Sequence, residues 1–269
     1  MPVPRSSDLT SVVLAHRKII RTTEWRISQS LWCLFLDVDG TLLDIAATPD
    51  AVHVEPSLQA LLTRLRVVLD GAVALVSGRP IVELDRLFGP HRWAAAGVHG
   101  LERRDSLGRW HSQNGSDVAT IARARERLQQ LAGRLPGTIF EDKGMAVALH
   151  YRQVPQVEGQ VRGEARAIVR AVGGRLMLLE GRMVVELRPE GLTKADAVRE
   201  FLSEAPFRGR RPIFIGDDVT DQAALEEVER IGGLSVGVGD HVRAMLRVSA
   251  PRDVQVFLEE LADAGVPTP

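Results

Sequence analysis

Two aspartates two residues apart follow an apolar run: Leu34-Phe35-Leu36 leads into Asp37-Val38-Asp39-Gly40-Thr41. On an extended strand, residues i and i+2 project from one face, and a turn at Gly40 leaves both carboxylates near the strand's rim. Other groups able to do chemistry follow other apolar runs. Ser77-Gly78-Arg79 supplies a hydroxyl and a guanidinium, and Gly216-Asp217-Asp218-Val219-Thr220-Asp221 supplies a second set of acids. Hard oxygen donors of this kind suit Mg²⁺, which keeps several waters and bridges carboxylates to a phosphate. Concentrated negative charge with no cation would repel itself, so Mg²⁺ belongs to this reading. Lys194 stands in the first turn of a helix-like segment, where a cation opposes the helix dipole, and this points to an anionic partner. Each feature also has a plainer reading. Ser77 can cap a helix, Asp217 and Asp218 can form a turn, and Lys194 can be solvated. Their order, at matching ends of apolar runs, favours one shared site.

The elements that must position these groups can be read from periodicity. Leu31 to Leu36, Ala72 to Val76, Pro212 to Ile215 and Leu234 to Val238 are short runs rich in Leu, Val and Ile, the pattern of strands buried on both faces of a parallel sheet. Pro56 to Leu69 carries Leu58, Leu61, Leu62 and Leu65 at helical spacing, and Lys194 to Leu202 carries Ala197, Val198 and Phe201. This is an α/β alternation, and such sheets bind ligands beyond the carboxyl ends of their strands.

The middle of the chain differs. Helical stripes over Ser116 to Leu135 and Val157 to Val172 accompany alternating strand patterns over Met145 to Arg152 and Arg182 to Arg188. One face of those strands collects Glu186 and Arg188 with His150 and Arg152, and Glu141 and Lys143 lie nearby. Single residues such as Arg188 also read as exposed members of cross-strand ion pairs. The expected organisation is an N-terminal extension over 1–30, a core over 31–108 and 190–269, and an inserted α+β module over 109–189.

The 269 residues carry a formal charge of −1 with basic residues spread along the chain, which gives no electrostatic footprint for nucleic acid. The single cysteine, Cys33, sits in an apolar run and reads as a buried thiol, in keeping with a reducing cytoplasm. The apolar stretch Ser11 to Ala15 is too short for a secretion signal, and no run approaches the ~20 apolar residues of a membrane span. Asp8 to Glu24 reads as a weak helix.

Asp37-Val38-Asp39-Gly40-Thr41, Ser77, Lys194 and Gly216-Asp217-Asp218, in that order, resemble the motifs of the haloacid dehalogenase superfamily. The resemblance implies a Rossmann-like parallel sheet core with an inserted cap. It implies that Asp37 attacks phosphorus and forms an aspartyl-phosphate, that Asp39 is the general acid and base, and that Ser77 and Lys194 hold the phosphoryl group. Mg²⁺ would sit on Asp37, the Asp39 carbonyl and Asp217, with Asp218 and Asp221 around them.

Within that superfamily, Ser77-Gly78-Arg79, Gly97-Val98-His99-Gly100-Leu101-Glu102, Glu141-Asp142-Lys143, His150-Tyr151-Arg152 and Asp217-Asp218-Val219-Thr220-Asp221 look like trehalose-6-phosphate phosphatases. The resemblance implies hydrolysis of trehalose 6-phosphate, a small-molecule substrate, with Glu141, Lys143, Arg152 and Glu186 on the sugar and Arg79 and His99 near the module junction. Two positions depart from the family pattern: Ala195 stands where glycine is usual, and Gln222 where glutamate is usual. Two other readings use the same residues, a phosphatase for another phosphorylated sugar or glycerate and a non-catalytic sugar-phosphate sensor.

Overall fold

In the computed structural model residues 31–45, 52–112, 118–181 and 183–263 are described. The helix expected over Asp8 to Glu24 lies outside them, as does Arg182. The first part of the chain forms β1 (Trp32–Leu36), α1 (Pro56–Val68), β2 (Val73–Val76), α2 (Ile81–Phe88), β3 (Ala94–Gly97), β4 (Glu102–Arg104) and β5 (Trp110–Ser112). The middle forms α3 (Val118–Arg134), β6 (Ile139–Asp142), β7 (Val147–His150), α4 (Glu158–Val172), β8 (Leu176–Gly181) and β9 (Val184–Pro189). The last part forms α5 (Lys194–Leu202), β10 (Arg211–Gly216), α6 (Gln222–Arg230), β11 (Leu234–Val238), β12 (Leu246–Val248) and α7 (Pro251–Asp263).

One sheet runs β12-β11-β10-β1-β2-β3-β4-β5, parallel from β12 to β3 and antiparallel beyond. Strand order moves one way from β1 to β3 and the other way from β10 to β12, so the topological switch lies beside β1. A crevice therefore opens at the carboxyl ends of β1 and β10, and Asp37 and Asp217 come immediately after those ends. Cys33, Leu34, Phe35 and Leu36 have no accessible surface, which is why β1 reads as an unbroken apolar run. Burial also pushes the Cys33 thiol up to about 12, so it is inert. On α1, Leu58, Leu61, Leu62 and Leu65 are the buried residues, as their spacing predicts.

The second sheet is antiparallel throughout, in the order β6-β7-β9-β8. Helices α3 and α4 bury Ile121, Leu128, Leu131, Val161 and Ile168 against Val147, Leu149, Val185 and Leu187. This core is separate from that of the larger sheet. A small cluster of Val98, Leu101 and Ala146 lies at the junction. The expected parallel α/β core with an α+β insertion is the fold observed.

Some strands carry no clear sequence signal. β3 reads Ala-Ala-Ala-Gly, a weak strand former that is held by full burial between β2 and β4. β4 reads Glu-Arg-Arg, yet Arg103 and Arg104 are buried. Arg104 pairs with Asp85 at 2.5 and 2.6 Å and donates to the Trp93 carbonyl, while Arg103 pairs with Glu204. The expected joint at 108/109 falls inside the β4–β5 hairpin of the larger sheet. Among the described residues no helix is long and apolar enough to cross a membrane.

Candidate active site

Asp37 leaves the end of β1 with its N–H donated to the Ile215 carbonyl of β10 at 3.0 Å, which seats the nucleophile candidate over the switch point. Gly40 follows at φ +83°, and a side chain there would strike the Asp217 carboxylate. Glycine is thus needed both for the turn and for the approach of the two acidic loops. Thr41 bridges them: its hydroxyl lies 3.2 Å from Asp37 Oδ2 and 3.3 Å from Asp217 Oδ1.

Lys194 opens α5 behind a capping box formed by Thr193 and Asp196. Its Nζ donates to Asp37 Oδ1 at 2.6 Å and to Asp221 Oδ1 at 2.7 Å. All three residues are buried, so the anionic partner that the lysine's place in the helix demands is a pair of carboxylates. The second Asp221 oxygen accepts the N–H groups of Asp217 at 3.2 Å and Asp218 at 3.1 Å, which fixes the loop after β10. Burial works against the charged amine, but Asp221 and Asp37 outweigh it and hold Lys194 above its ordinary value.

The carboxylates are strained electrostatically. Burial, then Asp221, push Asp37 up to about 6 against the pull of Lys194. Burial, then Asp37 and Asp221, push Asp217 up to about 9. Oxygens of Asp37, Asp217 and Asp221 lie within 4.8 Å of one another. Three acids against one lysine leave two excess negative charges, and a hard divalent cation offsets that excess. The donor set therefore fits Mg²⁺. Asp218 is half-buried and lines the same cleft.

Arg79 grips Asp39, Nε to Oδ2 at 2.7 Å and Nη2 to Oδ1 at 2.8 Å, and also reaches Glu83 at 3.2 Å. Ser77 is buried, and its Oγ accepts the Arg79 N–H at 3.2 Å. The smaller sheet meets these residues across the cleft. Lys143 donates to the Gly78 carbonyl at 3.0 Å and to Glu186 Oε2 at 2.8 Å, so one cap residue touches both halves. His99 follows Val98, and both have positive φ, +57° and +48°. A β-branched residue rarely adopts this conformation. The strain points the His99 ring at Gly78, where a Cβ would lie 2.7 Å from ring atoms, and sets Nε2 3.6 Å from Glu186 Oε2.

Burial lowers the His99 imidazole below its ordinary value. Burial alone would raise Glu186, but Lys143 and His99 outweigh it and hold that carboxyl well below the usual range. Among the described residues, His99 Nδ1 and Glu186 Oε1 are buried with no hydrogen-bond partner. Such unused capacity suits a polar ligand.

One cleft of about 1070 Å³, counted to its open mouth, is lined by Asp37, Asp39, Ser77, Arg79, His99, Glu141, Lys143, Arg152, Glu186, Lys194, Asp217 and Asp218. The expected catalytic and sugar-contacting residues and the expected metal-holding Asp37, Asp39, Asp217 and Asp218 all border it, whereas Asp221 and Arg188 do not. Asp221 and Thr41 hold larger positions in the network than sequence reasoning gave them. Their signal was present in the spacing Asp217 to Asp221 and in the hydroxyl after Gly40. Arg188 is buried rather than exposed and donates to the Leu192 carbonyl, on the strand face opposite the one that packs Val185 and Leu187 into the smaller sheet's core.

A family model described as trehalose-phosphatase matches residues 35–260. The chain belongs to the trehalose-phosphatase family. It is 46% identical over 213 residues to a probable trehalose-phosphate phosphatase of Sinorhizobium fredii, covering 79% of this chain and 80% of that one. It is 43% identical over 232 residues to a trehalose-6-phosphate phosphatase of Escherichia coli, 86% of each chain. A solved trehalose-6-phosphate phosphatase related protein superposes with a TM-score of 0.74 at 27% identity, over 87% of this chain and 98% of that one. The C-terminal domain of the Candida albicans trehalose-6-phosphate phosphatase shares the fold, with a TM-score of 0.79 at 20% identity, over 92% of this chain and 96% of that one. Membership makes the chain a phosphoric monoester hydrolase.

The two departures from the family pattern have visible surroundings. Ala195 is buried in the first turn of α5. Gln222 donates to Glu226 at 2.9 Å and accepts the Arg243 N–H at 2.8 Å, so its amide ties α6 to the segment between β11 and β12.

Proposed function

We propose that this member of the family hydrolyses α,α-trehalose 6-phosphate to trehalose and phosphate, with Mg²⁺ and through a phosphorylated Asp37. The observation that carries the reading is the meeting in one cleft of Asp37, paired to Lys194 at 2.6 Å, with Asp39 and with the cap residues Glu141, Lys143 and Glu186.

A carboxylate oxygen of Asp37 attacks phosphorus, and the bond from phosphorus to the sugar oxygen breaks. Asp39 gives that oxygen a proton. Asp39 then takes a proton from a water that attacks the aspartyl-phosphate, which releases phosphate and restores Asp37. Lys194 and Ser77 hold the phosphoryl oxygens throughout. Mg²⁺, held by Asp37, the Asp39 carbonyl and Asp217 with Asp218 and Asp221 beside them, would neutralise charge on the transferring group.

Recognition falls to the inserted module, expected over 109–189, while 31–108 and 190–269 supply the chemistry. Glu141, Lys143, Arg152 and Glu186 present donors and acceptors that sugar hydroxyls can satisfy, with Arg79 and His99 at the junction. An alkyl group would leave the buried Glu186 Oε1 and His99 Nδ1 without a partner, at a cost of about 1–3 kcal/mol per group. The unused Glu186 Oε1 and His99 Nδ1 support this reading. The Lys143 bond to Gly78 supports a cap that shuts water out during transfer.

The test is phosphate release by the purified chain from trehalose 6-phosphate and glucose 6-phosphate, with and without EDTA. Strong preference for the disaccharide, lost in EDTA, is expected. Equal rates would move the substrate to another sugar phosphate, and no Mg²⁺-dependent release from any sugar phosphate would leave a binding module.

A further inference from the structure

The register of the smaller sheet arranges the cap side of the cleft in rows. Glu141 of β6 stands opposite Ala148 of β7, and Ala148 stands opposite Glu186 of β9. Two carboxylates thus flank an alanine with no accessible surface. In the next row Ile139 stands opposite His150, and His150 opposite Val184. Glu141 and His150 are therefore diagonal neighbours on one face, a pairing within reach of long side chains. The methyl group of Ala148 leaves that diagonal clear, and His150 Nε2 lies 2.6 Å from Glu141 Oε2. Each cleft carboxylate of the cap has its own basic neighbour, Lys143 for Glu186 and His150 for Glu141.

We propose that His150 is a positioning residue for sugar recognition: it fixes the rotation of the Glu141 carboxylate before the substrate arrives. The inference rests on the sugar-phosphate reading above. A carboxylate free to rotate must be ordered on binding, and each such side chain costs affinity, whereas one already held does not. The pair borders the cleft rather than the apolar core between the sheet and α3 and α4. Its loss leaves no core cavity, so it should act on binding more than on folding.

The test is steady-state kinetics on trehalose 6-phosphate with His150→Leu and His150→Gln, alongside melting temperatures. The leucine variant is expected to raise KM about 10-fold, the loss of one hydrogen bond to a charged group, with kcat within about 3-fold of the parent. His150→Gln keeps a donor and should recover most of the affinity. In a Glu141→Gln background, His150→Leu should change KM by less than about 2-fold, because coupled residues are not additive. Unchanged KM in His150→Leu, a loss confined to kcat, or full additivity with Glu141→Gln each overturns the proposal. If the unaltered chain does not hydrolyse trehalose 6-phosphate, the functional reading fails and this inference fails with it. Hydrolysis by the parent with no KM shift in the variant overturns this inference alone.

Discussion

Arg79 holds Asp39 by both carboxylate oxygens, at 2.7 and 2.8 Å, in a two-pronged pairing that a lysine cannot copy. If Asp39 delivers a proton to the sugar oxygen, one prong must let go as the substrate enters. Arg79→Lys is expected to lower kcat on trehalose 6-phosphate by about 10- to 100-fold, the scale of general acid catalysis. p-Nitrophenyl phosphate leaves as a weakly basic phenolate that needs no proton, and its rate should fall far less. Equal losses on both substrates would assign Arg79 to phosphate binding instead.

Lys194 and its two carboxylates separate chemistry from stability. Asp37→Asn should abolish phosphate release while leaving the melting temperature nearly unchanged, since Lys194 keeps Asp221. Lys194→Met instead strands Asp37 and Asp221 without their buried counter-charge, and should cost about 3–5 kcal/mol in denaturant unfolding. A methionine variant as stable as its parent would mean that the lysine contributes nothing to holding those acids.

The raised carboxyls make a signed prediction about metal and pH. Asp37 at about 6 and Asp217 at about 9 both exceed the unfolded value near 4, so the folded chain binds extra protons between those limits. Stability of the metal-free protein from these groups is present at low pH and falls as pH rises through that window. Added Mg²⁺ should therefore raise the melting temperature more at pH 8 than at pH 5, as binding competes with protons. A shift that shrinks with pH would contradict the site.

Asp105 serves the scaffold. Its oxygens accept the N–H groups of Leu107 and Arg109 at 2.9 Å, Arg109 Nε at 2.7 Å and His111 Nε2 at 3.0 Å. Burial opposes its charge, but these bonds hold it well below the usual carboxylate range. The depressed value means its contribution is full above about pH 4 and is lost as pH falls further. Asp105→Ala should cost about 2 kcal/mol in thermal unfolding with turnover at neutral pH unchanged.

The parallel core was legible because full burial on both faces leaves a plain signature, as in Leu234 to Val238, whose bounds match β11. Helix spacing on α1 was equally clear. β3 and β4 were not, since three alanines carry no periodicity and the buried arginines of β4 depend on Asp85 and Glu204, distant in sequence. The acids at the rim could be found from strand ends. The bond from Lys143 to Gly78 and the pairing of Arg79 with Asp39 depend on how loops meet, and no local pattern encodes that.

Glu141 and Glu186 stand on strands separated by a third, with Ala148 as the intervening rung. Adjacent strands lie about 4.8 Å apart, so two intervals span roughly 9.6 Å. The backbone ladder therefore acts as a ruler of set divisions. Mutation can change what is mounted at either mark, but only rebuilding the sheet can change the gap between them. Drift toward sugars of other sizes must come from altered side-chain reach at a constant span.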